Sequence, residues 1–274
     1  MRQAAVRRPP PAAVAALAVG IWAVRRVIGH GAPAGLDVTG HLERIDFGLS
    51  QLLWHGHLDG WYPRTIMGAQ EYLLYGPGVT WAVAAVRLAT FTTLSSDTTV
   101  ALLTAAAFVS VAPATASLAR AVGLNRTGSW LAGLLALTVS SGRGGGLHGM
   151  FETGLLSQHL AYPAVIAALA QLIVVLRRPA RAPAAGLIAA SLFVLLTHPI
   201  SLAILAFVSP MVIGALWITG QLPLSVVAVR RAAGLSALGI GIAGWWVVPF
   251  VVHRDLTGVF TYWDTPTLRE DLRL

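Results

Sequence analysis

A chain of 274 residues with 56% hydrophobic and only 11% charged residues lies outside the range of soluble domains, which carry about 25% charged residues, and reads as a polytopic membrane protein. Its net charge of +8 comes entirely from arginine, because lysine is absent; the arginines are scattered between apolar runs, which argues for orientation in a bilayer and against nucleic acid as a partner. There is no cysteine, so disulfides, thiolate metal sites and cysteine nucleophiles are excluded.

Residues 1–11 are basic and rich in proline, with Arg2, Arg7 and Arg8. The apolar run that follows predicts a first span over 12–28, retained as a signal anchor, with Arg25 and Arg26 snorkelling at its far end. Residues 35–97 then form a loop unlike the rest. Its first part, Gly35 to Gly78, holds five of the eleven acidic residues and three of the eight histidines. Six further apolar runs lie within 98–252, at about Thr98–Ala119, Ser129–Ser141, His159–Leu176, Ala182–Thr197, Ser201–Thr219 and Ala232–Val252. An outer C-terminal segment, 253–274, closes the chain. The expected fold is all-α: a single membrane domain over 1–274, a bundle of about seven spans with interfacial helices in the first outer loop.

The remaining apolar run, Val79–Leu94, is expected to lie on the outer surface and not to cross. Arg87 falls near its middle, where a central arginine costs about 2.5–3.5 kcal/mol in a span. If Val79–Leu94 does not cross and the N-terminus is cytoplasmic, the loops holding Arg120 and Arg126, Arg177, Arg178 and Arg181, and Arg230 and Arg231 all fall inside, as the positive-inside rule requires. Every acid and every histidine then falls on the outer face. Acid–base or metal chemistry is therefore expected there, with the protein multi-pass in the inner (plasma) membrane and its functional loop outside.

Asp37 and His41 stand four residues apart, on one face of a helix if Asp37 begins it. Val38, Leu42, Ile45, Leu49, Leu52 and Leu53 make the apolar stripe of that helix, with Asp37, His41 and Arg44 on or near its polar side. A carboxylate so placed can act as general base toward a hydroxyl acceptor, with His41 orienting it or binding phosphate; equally, Asp37 can be a plain N-cap and His41 a solvated residue. His55 and His57, two apart, converge poorly on a metal in helix or strand. Trp54, Trp61, Tyr62, Tyr72, Tyr75 and Trp81 read as an interfacial belt or as stacking surfaces for a sugar. Glu152 precedes a span and can face the loop, and His198-Pro199 marks a hairpin tip. Trp245-Trp246 reads as a belt anchor.

The order of these elements resembles a known pattern. An acid after the first span, a histidine four residues on, then Gly56-His57-Leu58-Asp59-Gly60-Trp61-Tyr62-Pro63 and Tyr72-x-x-Tyr75-Gly76-Pro77-Gly78 resemble the first outer loop of bacterial GT-C type glycosyltransferases. The likeness is nearest to the integral membrane family called 6-pyruvoyl-tetrahydropterin-synthase-related. HLAYP at 159–163, LLTHP at 195–199 and GWWVVPF at 244–250 resemble actinobacterial members of that group. The resemblance implies transfer of a sugar from a polyprenyl-phosphate donor to a glycan or lipid acceptor at the outer face of the cell envelope. It implies Asp37 as the catalytic acid/base with His41 assisting, Arg44, Glu71, Tyr75, Glu152, His159 and His198 as substrate-binding residues, and a divalent cation, Mg2+ or Mn2+, as the candidate cofactor. Gln70-Glu71 depart from the family's link. GT-C enzymes usually run beyond seven spans, so the resemblance also implies either a minimal member or part of a longer chain. The alternative reading is a non-catalytic polytopic protein, a partner subunit or a transporter; the later runs carry no acid near their centres, which disfavours transport.

Overall fold

The computed structural model describes residues 9–32, 35, 38–63, 69–72, 76–140, 146–149 and 154–253, with the side chains of residues 26, 28, 29 and 69–71 excepted. Among these the chain is all-α but for one small hairpin. Helix α1 (Pro11–His30) starts with proline at its first position, where the missing N–H is no loss. A surface layer follows: α2 (Val38–Phe47), continued by a π turn at Gly48–Leu52 and a 3-10 turn at Leu53–His55, the antiparallel strands β1 (Gly60–Tyr62) and β2 (Ala69–Glu71), and α3 (Gly78–Ala89). The rest is a bundle of α4 (Ser96–Ala121), α5 (Arg126–Thr138), the single turn α6 (Gly146–His148), α7 (Leu156–Arg177), α8 (Arg181–Thr197), α9 (Pro199–Ile218), α10 (Val226–Ile242) and α11 (Gly244–Val252).

Helix starts in the bundle follow local chemistry. Ser95 Oγ accepts from Thr98 N at 3.1 Å, Asn125 Oδ1 from Gly128 N at 2.8 Å, and Ser225 Oγ from Ala228 N at 3.1 Å, each satisfying an N–H with no partner inside the helix. Helix α4 packs chiefly against α5 and α7, and α7 against α8. Where α4 meets α5, a Cβ on Gly133 would overlap the Ala112 carbonyl; small residues permit this close approach of backbones.

Three helices among the described residues, α4, α7 and α9, are long and apolar enough to cross a membrane, and α10 with α11 makes a fourth if the pair is one broken span. This is fewer than the seven expected. Two of the expected spans fall short in length: α8 has 17 residues and α5 has 13, and at 1.5 Å per residue they rise about 26 and 20 Å against a hydrocarbon core of about 30 Å; in α1 the apolar stretch is Pro11–Arg25. Helix α3, with 12 residues, rises only about 18 Å. Its Arg87 comes in the last turn, where Nη1 donates to Ser96 Oγ at 3.1 Å.

The final apolar run, expected as one span over Ala232–Val252, is two helices bent by 76° at Ala243. Gly239, Gly241 and Gly244 cluster at the break, and glycine is among the weakest helix formers. The bend lays α11 against the surface layer: Trp245 stacks on Trp81 with centroids 5.2 Å apart, and Trp246 Nε1 donates to the Tyr72 carbonyl. Trp246 is 3% exposed. This corrects the belt-anchor reading for Trp246, which is buried and ties the last helix to the first loop; Trp245 remains exposed.

The two ends of the bundle differ in charge. Asp97 begins α4 and accepts from Ala32 N at 3.2 Å, tying the end of α1 to that point. The surface layer packs on the same end, with Ile45, Leu49, Val79 and Val83 against Val100, Leu156 and Leu160, and Leu52 and Tyr72 against Leu195, Leu196 and Trp246. At the opposite end Arg177 reaches across to the carbonyls of Ala121 and Gln221. All eight histidines and every described acid lie toward the first end, and neither occurs among the described residues of the second.

Candidate functional site

The amphipathic stripe expected after Asp37 is the buried face of α2 and its continuation. Val38, Ile45, Leu49 and Leu52 are buried, and Leu42 and Leu53 pack beside them. Its other side carries His41 and Arg44, which with Ile45, Tyr72, Gly76, Val79 and Thr80 line a cleft of about 20 Å3. That is the space of about one water molecule, or one oxygen of a phosphate. The imidazole and guanidinium on its wall are donors suited to such an oxygen.

Two sequence motifs distant in the chain build the floor of this region. The Gly76-Pro77-Gly78 turn lies against the last turn of α8. A Cβ on Gly76 would overlap the Leu196 carbonyl, and one on Gly78 would come within 2.8 Å of the Leu196 carbonyl carbon. Only glycine allows the two backbones to meet so closely. Thr197, fully buried, points Oγ1 at this turn and has no hydrogen-bond partner among the described residues. His198 follows at the break between α8 and α9, with Nδ1 2.7 Å from Ser201 Oγ. Thus YGPG and LLTHP, read separately in the sequence, are one structural unit.

Tyr72 is the residue the motif reading undervalued. It is 3% exposed, adopts φ of +65°, and fits its ring beside Gly48, where a Cβ would overlap the Tyr72 hydroxyl. A tyrosine in the left-handed region is strained. Its carbonyl is the acceptor for Trp246. The only sequence signal was its place as the first tyrosine of Y-x-x-Y-G-P-G; nothing local announced the positive φ. Beside the cleft, Tyr62 Oη donates to Glu43 Oε2 at 3.2 Å and packs edge-on against Phe47, joining β1 to α2.

The other expected site residues divide. Asp37, Tyr75 and Glu152 lie outside the described residues. Glu71 pairs with Gly60 through the backbone of β2, and its side chain lies outside the described atoms. His159 is not at the cleft. It lines a separate small cavity with Phe108, Val111, Ala136, Val139 and Tyr162, between α4, α5 and α7. Among the described residues no three His, Asp or Glu side chains gather as a metal site would require; His55 and His57 are both exposed.

His198 is partly buried, and desolvation holds its pKa below the ordinary value of 6.5. Burial penalises the imidazolium, so between the two pKa values the unfolded chain binds more protons than the folded one. This contribution to stability is complete above pH 6.5 and falls as the pH drops through that value. Wild-type protein is expected to melt at a lower temperature at pH 5 than at pH 8. His198→Gln should shrink that difference in thermal melts; an unchanged difference would remove His198 from the account.

No protein-family model matches the chain, and no curated protein matches it.

Proposed function

We propose that the chain is a membrane glycosyltransferase of GT-C type, moving a sugar from a polyprenyl-phosphate donor to a glycan or lipid acceptor at the outer face of the plasma membrane. The observation that supports this reading most is the seating of the first-loop layer. A cleft walled by His41, Arg44, Tyr72 and Thr80 stands at the end of an apolar helix bundle, over the Leu196-Thr197 turn. A lipid-linked phosphate needs this combination: hydrocarbon-facing helices below and phosphate donors at the boundary. In this reading the N-terminus and the arginine loops are cytoplasmic, and the helices below the length of a straight span still traverse the bilayer as parts of a seven-helix bundle.

Asp37 is the general base that takes the proton of the acceptor hydroxyl. His41 and Arg44 hold the phosphate as charge builds on it, and a strengthened hydrogen bond to that developing charge lowers the barrier. Glu71, Tyr75, Glu152 and His198 bind donor or acceptor, with Glu71 or Glu152 also the ligands for a divalent cation if one takes part. His159, in its own cavity, would act on a different portion of the substrate.

Membranes containing the chain, supplied with labelled sugar on polyprenyl phosphate, should pass label to an acceptor. No transfer from any polyprenyl donor, together with co-purification of a second membrane protein, would favour a partner subunit instead.

A further inference from the structure

The arginine end of the bundle holds a groove that the cleft at the other end does not explain. It lies between the last turn of α9 and the first turns of α10, has a volume of about 370 Å3, and is lined by Trp217, Leu224, Ser225, Val226, Val229 and Arg230. Pockets for small ligands run from about 300 to 1,000 Å3. Its walls are apolar yet open, with Trp217 57%, Val226 68% and Val229 47% exposed.

The polar groups around it are not equivalent. Ser225 Oγ is engaged in capping α10. Arg177 is engaged as well, donating to the Ala121 and Gln221 carbonyls. Arg230, on the groove wall, is exposed and makes no hydrogen bond or ion pair among the described residues. Arg120, Arg126, Arg178, Arg181 and Arg231 crowd the same end, and none of the described residues there is acidic. The result is an apolar channel with uncompensated positive charge at its mouth.

These features select a ligand with two parts. The apolar walls favour hydrocarbon, since burying it removes apolar surface from water. A guanidinium favours a phosphate, which it can grip with two parallel N–H donors. Tryptophan is at home at the boundary between acyl chains and headgroups. We infer that the α9–α10 groove binds an anionic glycerophospholipid of the surrounding bilayer, one acyl chain along Trp217, Val226 and Val229 and the phosphate on Arg230. A general positive field would attract anionic headgroups without holding them; the groove adds a fixed seat. This inference rests on the membrane reading of the helices but not on sugar transfer, so the two can fail separately.

The test uses the full chain purified in detergent and exposed to phosphatidylglycerol or phosphatidylcholine, with bound lipid counted by native mass spectrometry. Wild-type protein should retain phosphatidylglycerol about tenfold better than phosphatidylcholine. Arg230→Ala should erase that preference, while Arg178→Ala, at the same end but outside the groove, should keep it. Val229→Trp, which fills the channel and leaves the charge, should lower retention of both lipids. All three altered positions are exposed, and unchanged helicity by circular dichroism confirms the fold. Equal retention of the two lipids by wild-type protein would overturn the inference. So would equal losses in the two arginine variants, undiminished binding by Val229→Trp, or displacement of the lipid by millimolar inorganic phosphate.

Discussion

Gly76→Val should detach the surface layer from the bundle. At this position a Cβ meets the backbone carbonyl of Leu196 and not the end of a flexible side chain. Neither partner can yield by rotating a rotamer, so the Gly76–Gly78 turn or the end of α8 must move. Overpacking in a well-packed region costs about 1–3 kcal/mol, and occasionally more; with a carbonyl as the obstacle the cost should lie at or above the top of that range. The layer also holds Leu52 and Tyr72 against Leu195, Leu196 and Trp246, so a shift of the turn would carry the His41–Arg44 wall with it. Thermal unfolding of the purified protein in detergent measures this. Gly214→Ala, inside α9 with no atom within 4 Å of the added Cβ, is the control expected to melt no lower than wild type. A Gly76→Val protein as stable as that control would mean that the turn is not seated as described.

Asp37→Asn should abolish catalysis without disturbing the fold. The substitution keeps shape and hydrogen-bonding reach but removes the ability to accept a proton. A positioned general base contributes about 10²–10⁴-fold to rate, so labelled-sugar transfer should drop by that factor with the melting temperature unchanged. An Asp37→Asn protein with full activity would remove Asp37 from its role. Asparagine caps a helix as well as aspartate, so an Asp37→Ala protein that loses about 1 kcal/mol of stability, beside an Asp37→Asn protein with retained activity, would identify Asp37 as an N-cap of α2.

What could be read from residues alone followed physical scale. The buried stripe Val38, Ile45, Leu49 and Leu52 was legible because 3.6-residue periodicity is local. The run Val79–Leu94, expected to lie on the surface because Arg87 falls within it, forms a helix of 12 residues that ends at Ala89. The number of long helices was not legible. Apolar runs were visible, but their helical lengths depend on where Arg178, Ala180 and the Thr138–Val139 boundary end each turn pattern, which composition does not specify. The site divided in the same way. His41 and Arg44 were found by spacing and do share a cleft. His159 was grouped with them by motif, yet it belongs to a different cavity because α7 presents it toward α4 and α5.

By itself, the sequence determined an apolar helical chain in which the segments around Arg120–Arg126, Arg177–Arg181 and Arg230–Arg231 hold arginine as their only charge, with the acids and histidines elsewhere. Those are properties of segments, set by side-chain chemistry and short-range periodicity. The tertiary structure decided which segments meet. It joined Tyr72 to Trp246, 174 residues apart, Gly76 to Leu196, and Trp81 to Trp245. Such contacts depend on a bend at Ala243 and on backbones close enough to exclude a Cβ. Local propensity allows both but cannot select them, because the partner that makes each favourable lies far away in the chain.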